Sequence, residues 1–185
     1  MAVLAAINGP VNLLGHSYGA RCALGGALLA GNVRALVLYE PALTGPAPYP
    51  PGFIEGLEID LEAGKREHVV ATFMQEIVRV PTSELEIMKS SPAWQGRIGA
   101  AHTIVRELRA AERYRFEPNQ YRGFAAPVLL LVGGASPAPF RSAIEELEAA
   151  LPNRQLAVLP GQRHAAMDTG PEVFLAEVIR FLERD

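Results

Sequence analysis

The stretch Val-Asn-Leu-Leu-Gly-His-Ser-Tyr-Gly-Ala at residues 11–20 decides the fold. Val11–Leu14 is a short apolar run that ends at Gly15. Tyr18–Ala30 is rich in Ala and Leu and stops at Gly31-Asn32, a helix terminus signal. Between them lies Gly15-His16-Ser17-Tyr18-Gly19, a G-x-S-x-G sequence set directly between a strand and a helix. In that context the serine occupies a strained strand-to-helix turn that lifts its hydroxyl above the sheet. The flanking glycines leave the backbone room to fold tightly around it. The same turn aims the backbone N–H of Tyr18 at a developing oxyanion, and the helix N-terminus adds positive potential. Ser17 is therefore the candidate nucleophile and Tyr18 the candidate oxyanion donor.

Working outward, Arg34–Tyr39, Val128–Val132 and Gln155–Leu159 read as further strands, with helical patterns at Pro139–Leu151 and Pro171–Glu183. Near-continuous apolar strands alternating with helices predict an α/β fold, a mostly parallel sheet covered on both faces. One segment breaks the alternation. Five prolines fall between Pro41 and Pro51, and Phe53–Ala63, Arg66–Arg79, Ser83–Lys89 and Trp94–Tyr114 then read as helices. The expected organisation is a core at 1–44 and 126–185, with an inserted helical cap at 45–125 over the strand ends, where such sheets place ligands. The arginines Arg106, Arg109, Arg113 and Arg115 are interleaved with Glu107 and Glu112, which reads as a solvated helix face.

Composition narrows the partners. The 185 residues carry 17 basic and 20 acidic side chains, a formal charge of −3, so no net positive field exists to hold a nucleic acid. No uninterrupted apolar run reaches the ~18–20 residues that span a bilayer. No Lys or Arg precedes Arg21, as a secretory signal would require, and the single Cys22 allows no internal disulfide. A cytoplasmic location is expected. Cys22 itself reads as a small buried hydrophobe.

The chain resembles the α/β-hydrolase family in four landmarks that follow the family's order. Gly-His-Ser-Tyr-Gly-Ala at 15–20 is similar to its nucleophile elbow, and Leu-Tyr-Glu-Pro at 38–41 to the end of the next strand. Leu-Leu-Leu-Val-Gly-Gly at 129–134 resembles the strand beyond the cap. Pro-Gly-Gln-Arg-His at 160–164 resembles the loop that carries the catalytic histidine, with Pro171–Leu182 as the closing helix. A serine needs a base within hydrogen-bond reach, and His164 is the best placed of four histidines. His16 lines the elbow, and His68 and His102 fall in cap helices.

The resemblance leaves the acid in question. The family usually carries it after the strand beyond the cap, but that loop, Gly133–Pro139, has no carboxylate. Some members place it after the strand following the elbow helix, where this chain has Glu40. Asp168 is the rival by proximity to His164, although Asp168-Thr169-Gly170-Pro171 reads as the start of the last helix. The resemblance implies a cofactor-free, metal-free serine hydrolase that cleaves a small acyl substrate, an ester, thioester or lactone, through Ser17, His164 and Glu40. His16, Phe53, Phe73, Met74 and Trp94 are candidates for the substrate pocket. The alternative is a non-catalytic relative that binds a small ligand or a protein through the cap cleft.

The family's sheet has strands before the elbow, for which roughly 75–80 further residues would be needed. Met1–Ile7 reads as the last turns of the preceding helix. A fragment, a misassigned gene start, or completion by a second chain, as in a homodimer, is expected, with Val11–Leu14 as an edge open to pairing. The family's second oxyanion donor comes from that missing part, and losing such a donor costs about 3 kcal/mol of transition-state stabilisation.

Overall fold

The computed structural model describes residues 2–43 and 49–183. Pro46 and Pro48 of the proline-rich connection, and the expected boundary at 44/45, lie outside the described residues. The chain forms two compact units, Met1–Thr44 with Phe116–Asp185, and Gly45–Arg115. The segment 116–125, grouped with the helical insertion by sequence, thus belongs to the first unit. There the 3₁₀ turn Pro118–Tyr121 buries Tyr121, whose ring stacks on Phe116 at 5.3 Å.

The first unit begins with α1 (Ala2–Ala5), β1 (Val11–His16), α2 (Tyr18–Leu29) and β2 (Val33–Tyr39). The second unit holds α3 (Phe53–Glu62), α4 (Arg66–Glu76), α5 (Thr82–Lys89), α6 (Ala93–Gly99) and α7 (Ala101–Arg113). The chain then returns to the first unit with β3 (Val128–Gly133), α8 (Ala138–Ala150), β4 (Arg154–Leu159), α9 (Ala166–Thr169) and α10 (Pro171–Leu182). The sheet is parallel throughout, in the order β1-β2-β3-β4. Leu36 to Tyr39 and Val128 to Val132 are all at most 5% exposed, as strands covered on both faces require. On one face Val37, Tyr39, Leu129 and Leu131 meet Phe174, Val178 and Phe181 of α10. Among the described residues β1 and β4 are the sheet edges, and Leu14, Leu156 and Val158 are exposed there.

Three local expectations need correction. The helix read over Trp94–Tyr114 is two helices, α6 and α7, which meet at Ala100. Gly96 and Gly99 weaken the turn there, and the Ala100 N–H bonds back to Gly96 and Arg97. A short helix, α9, precedes the last one and contains Asp168 and Thr169, so the last helix starts only at Gly170-Pro171. Cys22 is exposed, because Ala20, Ala23, Leu24 and Ala27 form the buried face of α2 and residue 22 points away from it.

The second unit has a core of its own. Ile54, Leu57, Val69, Val70, Leu85, Trp94, Ile104, Val105 and Leu108 form one buried cluster drawn from all five helices.

Candidate active site

Gly15 closes the elbow. A Cβ there would lie 2.5 Å from the Ala20 Cα, so α2 can approach β1 this closely only at glycine. A Cβ at Gly19 would meet nothing within 4 Å, so crowding explains only the first of the two flanking glycines. Ser17 itself has φ 55 and ψ −122, a strained conformation for a residue with a side chain. Its N–H donates to the Tyr39 carbonyl at 3.0 Å, and its carbonyl accepts the N–H of Ala42 at 3.1 Å. The elbow is thus stitched to the end of β2 on both sides of Glu40. Tyr18 opens α2, where the first N–H groups have no partner within the helix and present the positive end of its dipole.

Glu40 also has positive φ, 42. Of the three non-glycine residues with positive φ among the described residues, two are therefore Ser17 and Glu40. The Glu40 side chain is wholly buried, with both carboxylate oxygens engaged. Oε1 accepts the N–H of Gly133 at 2.7 Å, and Oε2 accepts from His164 Nδ1 at 2.7 Å. The loop after β3 that lacks a carboxylate is thereby met by one reaching across from β2. Gly133 is the point of closest approach: a Cβ there would sit 2.4 Å from the Gln162 carbonyl oxygen and 2.6 Å from Ser136 Oγ. Ser136 Oγ, in that same loop, is buried without a hydrogen bond among the described residues.

His164 is 8% exposed and packs its ring against Phe140 at 4.3 Å. With Nδ1 on Glu40, its Nε2 is the ring nitrogen left free of that hydrogen bond. His16 ties His164 to the elbow. Its Nε2 donates to the His164 carbonyl at 2.7 Å, and its ring lies 4.5 Å from the His164 ring. Sequence reading placed His16 in a substrate pocket, whereas its hydrogen bond here is to the protein's own backbone. The remaining pocket candidates sit in the second unit. Trp94 is 1% exposed with its Nε1 donating to Glu67, and Phe53, Phe73 and Met74 pack against the same core. Trp94 lies inside that core, and Phe53, Phe73 and Met74 are only partly buried against it.

Tyr39 was not singled out by sequence. Its hydroxyl donates to the Arg163 carbonyl and accepts the N–H of Ala166 at 3.3 Å. An aromatic residue ending a buried strand beside Glu40 was the available signal. Among the described residues no group of three or more His, Cys, Asp or Glu side chains could hold a metal ion, and no helix is long and apolar enough to cross a membrane.

Comparison with solved structures gives the same architecture many times over. An alpha/beta hydrolase from Sphaerobacter thermophilus superposes with a TM-score of 0.82 at 28% identity, over 98% of this chain and 70% of that one. A hydrolase from Pseudomonas aeruginosa gives 0.73 at 22% identity, over 94% of this chain and 65% of that one. A thermophilic esterase gives 0.72 at 21% identity, over 99% and 69%. No curated protein sequence matches the chain. The family model described as alpha/beta hydrolase matches residues 1–177, a span that runs from α1 through the elbow, the Glu40 corner and the His164 loop into α10. With nearly the whole chain matched and the sheet, elbow and histidine loop in the family's order, the chain belongs to the alpha/beta hydrolase family.

Proposed function

We propose that this hydrolase cleaves small carboxylic esters, thioesters or lactones through a Ser17–His164–Glu40 triad. The observation that carries the reading is the buried Glu40–His164 hydrogen bond of 2.7 Å, formed at the corner to which the strained Ser17 elbow is bonded. Ser17 Oγ attacks the acyl carbonyl while His164 takes its proton. The backbone N–H of Tyr18 stabilises the oxyanion, and His164 returns the proton to the leaving group. Water then repeats the sequence on the acyl-enzyme. Glu40 keeps the proton of the neutral imidazole on Nδ1 and stabilises the imidazolium that forms. Its full burial gives that charge a low-dielectric setting in which the interaction is strong.

Esters are the first substrates to try, since a solved structure that shares the fold is described as an esterase. The lone Cys22 fits a reducing, cytoplasmic setting. The direct test is covalent labelling by a fluorophosphonate, followed by mass spectrometry and by hydrolysis of short p-nitrophenyl esters. Ser17→Ala should abolish labelling and lower turnover by roughly 10³-fold or more. A folded wild-type protein that neither labels nor turns over any acyl ester would remove the acyl-enzyme mechanism.

A further inference from the structure

Tyr39 meets the catalytic constellation at three places. Its carbonyl accepts the N–H of Ser17 at 3.0 Å, and its peptide leads directly into Glu40. Its hydroxyl engages Arg163 on one side of His164 and Ala166 on the other. We propose that Tyr39 is a positioning residue that holds the His164 imidazole against Glu40 by fastening the backbone on both sides of the base. The proposal rests on the triad reading above.

The physical case begins with the hydroxyl's capacity. A phenol has one donated hydrogen bond and room to accept, and Tyr39 uses both functions on the same loop. A phenylalanine would fill the same space and make neither bond. The ring is wholly buried between His16, at 5.2 Å in a stacked arrangement, and Phe174, at 5.5 Å. The hydroxyl is therefore set by packing rather than by a free rotor. Burial and the adjacent Glu40 charge push its phenol well above the ordinary 10.0, so the donated proton is retained across the working range.

His16 adds a third tie between the two that Tyr39 makes, on the carbonyl of His164 itself. The loop needs these ties because β4, from which it leaves, is an edge strand with an exposed outer face. Among the described residues Glu40, His16 and Tyr39 are the titratable groups that face the His164 ring from the neighbouring strands. Displacing a catalytic group by about 1 Å is enough to cost on the order of a hundredfold in rate.

The test is Tyr39→Phe in the full chain, which removes the hydroxyl and keeps the ring. The expected result is a fall in kcat of about tenfold or more with KM nearly unchanged, and an equal fall in the rate of fluorophosphonate labelling. The proton NMR resonance of His164 Nδ1–H, which reports its hydrogen bond to Glu40, should shift upfield or broaden. Leu147→Ala, at a buried α8 side chain outside the cluster that holds Tyr39, is the control: it should lower the melting temperature and leave kcat and the resonance in place.

If Tyr39→Phe behaves like that control, the positioning role is overturned. If the wild type is catalytically inert, the hydrolase reading fails, and the His164 resonance alone decides the role of Tyr39. Should Tyr39→Phe not fold, 3-fluorotyrosine at this position keeps ring and hydroxyl but changes the hydroxyl's donor strength. An unmoved His164 resonance would then overturn the proposal.

Discussion

The two units of this chain treat a carboxylate paired with a basic side chain in opposite ways. In the sheet unit Glu40 and His164 meet at 2.7 Å with side chains 0% and 10% exposed. In the helical unit Arg109 of α7 bonds Glu55 and Glu58 of α3 and pairs with Glu112 of its own helix, all with side chains 37–56% exposed. The distances are similar and the consequences are not. Water screens the Arg109 group, so its members can be exchanged at little cost. Glu40 has no water to fall back on, and removing its partners strands a buried charge. The lesson is that burial, not geometry, separates a pair that can tune chemistry from a pair that decorates a helix.

The sharpest way to break this contrast is at Glu40. Glu40→Gln should lower kcat by roughly 10²–10⁴-fold, because the neutral amide neither holds the imidazole's tautomer nor stabilises its cation. Steady-state kinetics on a p-nitrophenyl ester reads this directly, and an unchanged kcat would reassign Glu40 to a structural role. Glu40→Ala goes further and leaves the Gly133 N–H and His164 Nδ1 without their acceptor, at a cost of ~3–5 kcal/mol in denaturant unfolding.

Alkaline stability sharpens the contrast next. The Tyr39 phenol is held above its ordinary 10.0 by burial and by the Glu40 charge. As the pH rises through that ordinary value the unfolded chain ionises first, so folding stability is full below about 10 and falls above it. Tyr39→Phe should flatten that alkaline decline in a series of thermal melts. A decline equally steep in the variant would assign it to other groups.

The smallest effect belongs to the helical unit. Hydrogen bonding and the Arg109 and Lys65 charges hold Glu55 and Asp60 below the usual carboxylate range. Their stabilisation is therefore present above the ordinary carboxylate values and is lost as the pH falls through the lowered ones. Because Arg109 and its glutamate partners are exposed, Arg109→Ala should produce only a small drop in melting temperature. That drop should vanish near 1 M salt, where the screening length is ~3 Å. A large, salt-independent loss would mean that this pair behaves like the buried one.

Much of this was legible before any coordinates. Ala and Leu periodicity located α2, continuous apolar runs located β2 and β3, and Gly15-x-Ser17 marked the turn between strand and helix. Local pattern failed where two remote segments had to be weighed together. Gly96 and Gly99 broke a helix whose apolar spacing ran through them. Cys22 was misread because burial depends on which face of α2 meets the sheet. The Phe53, Phe73, Met74 and Trp94 spacing was compatible with a pocket or a core, and in the structure Trp94 is buried in the second unit's core while the other three pack partly buried against it.

The amino-acid sequence by itself determined the parallel α/β class and the strained position of Ser17. Those follow from hydrophobic period and from a glycine-flanked turn, both properties of neighbouring residues. Only the tertiary structure decided which carboxylate meets His164 and which side chains bond the backbone around it. Glu40 lies 124 residues from His164 in the chain, and Tyr39 is as remote from the loop it fastens. Their meeting depends on β2, β3 and β4 lying side by side in parallel, an arrangement fixed by long-range hydrogen bonding and by the burial of both faces of β2 and β3.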